Sequence, residues 1–159
     1  MDSSADFVGV LVSLAEAQVE FIVVGGVAAV AHGAPITTFD VDIVHRRSPK
    51  NVERLTTALQ TLNAHTRSRP GLFPGPDALA GPGHQLLETR LGPLDVLGVI
   101  EDNRGYDELL SETSITRVRG YEVRLLSLDT LIAIKRGSSR EKDRLMLPLL
   151  EEAARVSKR

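Results

Sequence analysis

The stretch FIVVGGVAAVAHGAPITTFDVDIV, residues Phe21 to Val44, decides the fold. Phe21 to Val24 is short, apolar and rich in β-branched residues, which predicts a strand buried on both faces. The pair Gly25-Gly26 ends this strand, and the small residues from Val27 to His32 predict a helix packed closely on a sheet. Ile36 to Val44 then predicts a second strand, so the stretch forms a strand, helix and strand unit.

Two aspartates lie one residue apart near the end of this stretch. Side chains alternate along a strand, so Asp40 and Asp42 are predicted to point to the same face. Asp95 is a third carboxylate within an apolar strand, in the segment LDVL. Buried charges are costly unless they are paired or bound to a metal, and oxygen ligands favour Mg²⁺ or Mn²⁺. We therefore predict a metal site at Asp40, Asp42 and Asp95, with Glu88 as a rival for the third ligand.

The glycine pair complements these carboxylates. Without side chains, Gly25 and Gly26 let the backbone approach a phosphate closely. The N–H groups at the start of the following helix, near Val27, attract anions. A divalent ion beside a phosphate-binding turn predicts phosphoryl-transfer chemistry.

Length and composition place limits on the rest. A chain of 159 residues predicts one domain, with a core over residues 21–126 and C-terminal helices over residues 127–156. Cysteine is absent and only four histidines occur, which excludes a disulfide framework and disfavours structural zinc. The acidic N-terminus does not resemble a targeting segment, and the apolar run from Phe21 to Ala31 is too short to span a membrane. We expect a soluble, cytoplasmic protein without a membrane partner.

Charge is distributed unevenly along the chain. Residues 1–110 carry 8 Lys or Arg against 14 Asp or Glu, whereas residues 111–159 carry 11 against 7. An acidic half that holds metal and a basic half that holds anions would suit a nucleoside triphosphate with its magnesium. Solvated charged faces explain the imbalance equally well.

The remaining elements follow from periodicity and turn residues. They are a first helix over Ser4 to Val19 capped by Ser3 or Ser4, a helix starting at Ser48-Pro49, hairpins turning at Gly92 and Gly120, a short helix over Arg104 to Leu110, a helix over Leu128 to Lys135, and a last helix from Ser139 or Arg140 towards Val156. The Gly/Pro-rich residues from Arg67 to Gly83 predict a long loop without helix, interpreted as a flap near the site. Together these elements predict an α/β or α+β fold with a mixed sheet flanked by helices.

The motifs VGGVAAVAHG, TTFDVDIV and LGPLDVLG resemble the minimal nucleotidyltransferases of the DNA polymerase β superfamily. In particular they are similar to the abortive-infection type IV toxin-antitoxin transferases. The resemblance implies the nucleotidyltransferase fold and the transfer of a nucleoside monophosphate from an NTP to an acceptor hydroxyl, with release of pyrophosphate. RNA, tRNA, a protein or a small molecule would be the acceptor, and a cognate antitoxin would be a partner.

The same resemblance implies residue roles. Asp40 and Asp42 would bind both metal ions, and Asp95 would complete the site and help to activate the acceptor hydroxyl. Gly25, Gly26, Thr38, Lys135 and Lys142 would bind the nucleotide, with the two lysines in LDTLIAIKRGSSREKD at positions that match the family.

The sequence departs from its relatives at two positions. Relatives commonly have an arginine where Ile36 stands, and many superfamily members have a serine where Gly26 stands. The loss of the arginine leaves a second function open, a catalytically inactive domain that binds a nucleotide or a partner protein. His32 is open as well, either as a residue that closes the helix by satisfying carbonyls or as a neighbour of the nucleotide. Lys135 could equally snorkel from an apolar helix.

Overall fold

The computed structural model describes residues 5–157 and contains a seven-stranded mixed sheet. The strands are β1 (Phe21–Val24), β2 (Val41–His45), β3 (His65–Thr66), β4 (His84–Thr89), β5 (Gly92–Leu97), β6 (Thr113–Val118) and β7 (Tyr121–Leu126). The helices are α1 (Phe7–Glu16), α2 (Gly25–Ala31), α3 (Pro49–Thr61), α4 (Pro76–Ala80), α5 (Tyr106–Leu109) followed by a 3-10 turn (Leu110–Glu112), α6 (Leu128–Arg136) and α7 (Glu141–Ser157).

The strand order is β3-β4-β5-β2-β1-β7-β6. At its centre, β1 runs antiparallel to β2 and parallel to β7, while β2 runs parallel to β5. All four residues of β1 are buried, as its uniformly apolar sequence requires. The predicted mixed sheet with flanking helices is confirmed. The stretch from Phe21 to Val44 contributes its central strands, β1 and β2.

Helices cover the sheet through their apolar faces. Val10, Leu11 and Leu14 are the buried residues of α1, and they recur at the spacing of one helical face. Leu55 of α3 and Leu150 of α7 are fully buried in the same hydrophobic core. Elements from both ends of the chain therefore contribute to one core. Among residues 5–157, no helix has the length and apolar character needed to cross a bilayer.

The first helix begins later than predicted. It starts at Phe7, and its cap is Asp6, whose carboxylate accepts a hydrogen bond of 2.8 Å from the Gly9 N–H. Aspartate serves this role as well as serine because it offers an acceptor to the unpaired N–H groups of the first turn. The predicted caps Ser3 and Ser4 lie outside the described residues.

Two boundaries in the central stretch also differ from the prediction. Strand β2 begins at Val41 rather than Ile36, because a turn at Ala34 and Ile36 keeps the preceding residues out of the sheet. Helix α2 begins directly at Gly25 rather than near Val27. The glycine pair is therefore the first turn of the helix and not a separate linker.

The prediction that residues 67–83 form a helix-free flap was wrong. Pro76 begins the five-residue helix α4, where its missing N–H costs nothing, and Leu79 in that helix is fully buried. The Leu79 carbonyl also lies 2.6 Å from Nε2 of the buried His45. The segment is anchored to the end of β2, and its first residue, Arg67, contacts Asp95.

The other predicted elements are present with shifted bounds: the short helix begins at Tyr106 rather than Arg104, and the last helix begins at Glu141. The hairpins turn next to Gly92 and Gly120, both with positive φ, and Ser48 and Ser127 precede α3 and α6. The Ser127 hydroxyl accepts a hydrogen bond from the Thr130 N–H, as expected of a helix cap.

Candidate active site

Three carboxylates converge on two neighbouring strands of the sheet. Asp42 on β2 lies opposite Asp95 in the register of the parallel β2–β5 pair. Asp40 ends the loop immediately before β2. One carboxylate oxygen from each of the three residues lies within 4.8 Å of the other two. The predicted grouping is therefore present, although Asp40 reaches it from a loop and not from a strand.

The cluster is electrostatically unfavourable without a cation. Burial, together with the charges of Asp40 and Asp95, raises the pKa of Asp42 to about 8. Burial and the charge of Asp95 raise the pKa of Asp40 as well. Each shift means that the environment disfavours the ionised form. A set of three such oxygens suits a hard divalent ion such as Mg²⁺ or Mn²⁺, so the residues fit the metal that the sequence predicts.

This electrostatic conflict makes metal binding depend on pH. Below about pH 8, an ion must displace the proton of Asp42, so its apparent affinity should rise by up to about tenfold per pH unit between pH 6 and 8. Above pH 8 the dependence should flatten. The metal-free protein should change in the opposite direction and lose stability as the pH rises towards 8, because the folded state binds more protons than the unfolded state. Mn²⁺ titration calorimetry across this range tests the predicted rise in metal affinity, and thermal unfolding tests the predicted fall in stability.

The glycine pair is required by the site itself. Gly25 has φ of +66°, and a Cβ at this position would collide with the Asp42 carboxylate. A Cβ on Gly26 would lie 2.5 Å from Thr38 Oγ1. The Thr38 hydroxyl in turn donates to the Asp40 carbonyl at 3.2 Å. The glycines thus leave room for the side chain of Asp42 and for the threonine that holds the backbone of Asp40, a reason that the sequence did not reveal.

This packing accounts for the absence of a serine at residue 26. We expect Gly26→Ser to displace Thr38, weaken Mn²⁺ binding and destabilise the fold by about 1–3 kcal/mol, as overpacking does. The double variant Gly26→Ser, Thr38→Gly should recover part of the loss, because it removes both the Oγ1 and the Cβ of Thr38, which would lie 2.5 and 2.9 Å from the new Cβ. Urea unfolding and Mn²⁺ titration of the single and double variants provide the measurement. Equal losses in both variants would contradict the steric explanation.

A cavity of about 240 Å³ opens beside the carboxylates. One wall is formed by the start of α2 and the loop before β2, and the facing wall by α6 and α7. Its apolar part includes Ile100, Leu131, Ile134 and Met146. Its basic part includes Lys135, Arg140 and Lys142. Acidic, basic and apolar surfaces therefore meet in one cleft, which is the default arrangement of a ligand site.

The two predicted lysines occupy different environments. Lys135 Nζ lies 2.9 Å from Oδ1 of Asp143; the Asp143 side chain is buried at 3% exposure, and that of Lys135 is partly buried at 13%. Asp143 also accepts hydrogen bonds from the Ser138 hydroxyl at 2.6 Å and from Arg140 Nε at 3.2 Å. Lys135 therefore does not simply snorkel to solvent. Lys142 is exposed at the cavity, and its charge helps to lower the pKa of Asp40 against the larger effects of burial and Asp95.

Two neighbours of the site were missed by the sequence reasoning. Arg67 donates to Asp95 Oδ1 at 2.7 Å, and Phe39 lines the cavity with 76% of its surface exposed. Strand β3, which places Arg67, is only two residues long and has no periodicity to detect. A signal for Phe39 was available, since an aromatic residue next to Asp40 in a chain with few aromatics is unusual.

Three other candidates lie away from the carboxylates or already have partners. Glu88 pairs with Pro93 across the β4–β5 hairpin and does not join the cluster formed within the described residues. Ile36 packs against the hydrophobic core. His32 Nε2 lies 2.9 Å from the Leu126 carbonyl, so the interpretation that His32 satisfies a carbonyl is confirmed.

No model of a protein family matches the sequence, and no curated protein matches it either. Solved structures do match. The lincomycin-bound lincosamide antibiotic adenylyltransferase LnuA superposes with a TM-score of 0.65 at 12% identity, covering 95% of this chain and 99% of that one. A provisionally assigned nucleotidyltransferase from Thermotoga maritima gives a TM-score of 0.55 at 16% identity, over 96% and 91% of the two chains. An antigenic nucleotidyltransferase-like protein from Paracoccidioides brasiliensis gives 0.52 at 20% identity, over 92% and 77%. The chain therefore has the fold that these nucleotidyltransferases share.

Proposed function

We propose that this protein is a metal-dependent nucleotidyltransferase that moves a nucleoside monophosphate from an NTP to an acceptor hydroxyl. The observation that carries the proposal is the convergence of Asp40, Asp42 and Asp95 beside a glycine turn, on a fold shared with nucleotidyltransferases. A fold alone does not specify chemistry, but three clustered carboxylates, of which Asp40 and Asp42 line the cavity, supply a site for it.

In this proposal Asp40, Asp42 and Asp95 hold Mg²⁺ or Mn²⁺. The bound metal supplies neutralisation of phosphate charge and a lower pKa for a bound hydroxyl. Asp95 helps to take the proton of the acceptor hydroxyl. The acceptor oxygen forms a bond to the α-phosphorus, and the bond from that phosphorus to the pyrophosphate oxygen breaks, so pyrophosphate leaves with the electron pair.

The nucleotide is placed between the two walls of the cavity. The N–H groups of Gly25 and Gly26 approach its phosphates, as Thr38 does from the neighbouring loop. Among the basic residues of the cavity, Lys142 is the one we expect to contact the phosphates directly, because its side chain is exposed there. Lys135 contributes positive potential from the cavity wall, while its direct partner is Asp143.

For the acceptor, the structural likeness and the cavity favour a small molecule over RNA, tRNA or protein. LnuA is an adenylyltransferase with lincomycin bound, and the superposition covers 99% of its chain. The extent of this likeness supports adenylyl transfer to a small molecule as the model for this chain. The apolar wall of the cavity also suits a compact, partly apolar acceptor.

The test is a transfer assay. The protein is incubated with each α-labelled NTP, Mg²⁺ or Mn²⁺, and either tRNA, protein extract or a pool of small hydroxyl compounds. Label should move to one pool, and pyrophosphate should be released in equal amount. Absence of transfer from all four NTPs to every pool, with either metal, would contradict the proposal.

The competing function is an inactive domain that binds a nucleotide or a partner. The change at Ile36 motivates it, but retention of all three carboxylates favours the enzyme. Saturable binding of magnesium and nucleotide without transfer to any acceptor would support the inactive domain.

The resemblance to toxin-antitoxin transferases also motivates a proposal for the role of this protein in the cell. There the protein would be a toxin held in check by a cognate antitoxin, in a cytoplasm that supplies NTPs and suits a chain without cysteine. Growth arrest on expression of the intact protein, relieved by an adjacent gene product, would support this role. Growth arrest by the Asp42→Asn variant as well would contradict a toxin role based on transfer.

A further inference from the structure

Arg67 is held against the carboxylate cluster at three points. Its backbone N–H donates to the Leu86 carbonyl at 2.9 Å, which fixes the start of the side chain. Its Nη2 donates to the Leu87 carbonyl at 3.0 Å and to Asp95 Oδ1 at 2.7 Å. A guanidinium fixed by both backbone and side-chain bonds has a defined orientation, unlike a mobile surface arginine.

Arg67 also differs from the other cations near the site. Among the ion pairs formed within residues 5–157, it provides the one direct contact to any of the three clustered carboxylates. Lys135 and Arg140 are paired with Asp143 instead. The Asp95 side chain is only 14% exposed, whereas that of Arg67 is 37% exposed, so water screens their ion pair only from the arginine side.

We propose that Arg67 is the built-in counter-cation of Asp95 and that it limits the substrate-free protein to one tightly bound divalent ion, held mainly by Asp40 and Asp42. This inference rests on the proposed function, since it concerns the same metal site. In it Arg67 is a positioning residue, because it orients Asp95 and acts on the metal through that carboxylate.

The physical reason is competition for the same oxygen. Asp95 Oδ1 already accepts a strong charge-assisted hydrogen bond, so that oxygen is a weaker ligand for a second ion. A second ion at Asp95 would also lie next to the guanidinium, and two like charges in a partly buried site repel. Asp40 and Asp42 make no ion pair with a basic side chain among the described residues, and they remain available to the first ion.

The experiment is a Mn²⁺ titration of the nucleotide-free protein, followed by electron paramagnetic resonance or calorimetry. The wild type should bind one ion tightly. Arg67→Ala should bind two, with affinity at the second site higher by at least about tenfold, because one adjacent positive charge is gone. Arg67→Lys, which keeps the charge, should stay close to wild type.

Arg69→Ala is the matched control. It removes the same charge two residues away, and Arg69 makes no side-chain ion pair among the described residues. It should leave the stoichiometry at one. A thermal unfolding curve for each variant shows whether it is folded, and Arg67→Gln replaces Arg67→Ala if the latter is not.

The outcomes separate the inference from the proposed function. Two equivalent ions in the wild type, or the same stoichiometry and affinity in the wild type and Arg67→Ala, would overturn the role of Arg67 and leave the metal site intact. No saturable Mn²⁺ binding to the wild type would overturn the metal site itself, and the inference with it.

Discussion

Replacing Asp42 by Asn is expected to abolish the proposed transfer, with a loss of at least about 1,000-fold in kcat/KM, while the fold remains intact. Asp42 is the central carboxylate, opposite Asp95 in the sheet and adjacent to Asp40 in the cluster. Asparagine preserves its shape but removes the negative charge that holds a cation. Label transfer from an α-labelled NTP and Mn²⁺ titration measure the loss.

The same variant, Asp42→Asn, should be more stable than the wild type in the absence of metal, although its activity is lower. Burial and neighbouring charges raise the pKa of Asp42 to about 8, so ionised Asp42 destabilises the metal-free protein at higher pH. The variant should therefore have a Tm close to that of the wild type near pH 4, and its advantage over the wild type should grow as the pH rises from 4 to about 8. Glu88→Gln is the control, since it removes a carboxylate from the next strand outside the cluster. Activity of Asp42→Asn within tenfold of wild type would be incompatible with the proposed site.

Replacing Asp143 by Ala should produce the largest loss of stability, about 3–5 kcal/mol in the free energy of unfolding at pH 7. Asp143 is 2% exposed and joins α6 to α7 through Lys135, Ser138 and Arg140. Its removal leaves the Lys135 ammonium buried without a counter-charge. This loss is a large fraction of the total stability of a typical domain, and urea unfolding measures it directly.

Two comparisons identify the ion pair as the cause. The double variant Lys135→Met, Asp143→Leu removes both charges and should recover most of the stability, as apolar replacements of buried pairs often do. Although burial alone raises the pKa of Asp143, hydrogen bonds from Ser138 and Lys135 outweigh burial and lower it to about 2. The stabilisation is thus complete above about pH 4 and lost as the pH falls towards 2, and the double variant should lack this dependence. An Asp143→Ala variant as stable as wild type would show that the pair contributes little.

The parts of the site that the sequence predicted are those with a local signal. The first strand was predicted because an apolar run ends at Gly25-Gly26. The shared face of Asp40 and Asp42 was predicted because side chains alternate along a strand. Asp95 was identified because a charge inside an apolar strand requires an explanation. Its position beside Asp42, however, depends on the parallel pairing of β2 with β5, a register that no local pattern specifies.

The parts that were missed depend on contacts between distant segments. Arg67 reaches Asp95 through a strand of two residues, which is too short to have a detectable period. Leu79 anchors α4 against His45, and Gly/Pro-rich composition concealed that helix. The reason for glycine at residue 26 is the side chain of Thr38, which the sequence did not connect with it.

The two walls of the cavity come from segments that are synthesised at different times. One wall includes Gly25 and Gly26, whereas the other includes α7, which begins at Glu141. A nascent chain on the ribosome can form the strands and bring Asp42 beside Asp95, but the basic and apolar wall is still missing. Contacts between such distant segments also form late because closing a long loop costs entropy. The proposed nucleotide site would consequently be assembled only after α7 has been synthesised, later than the carboxylate cluster.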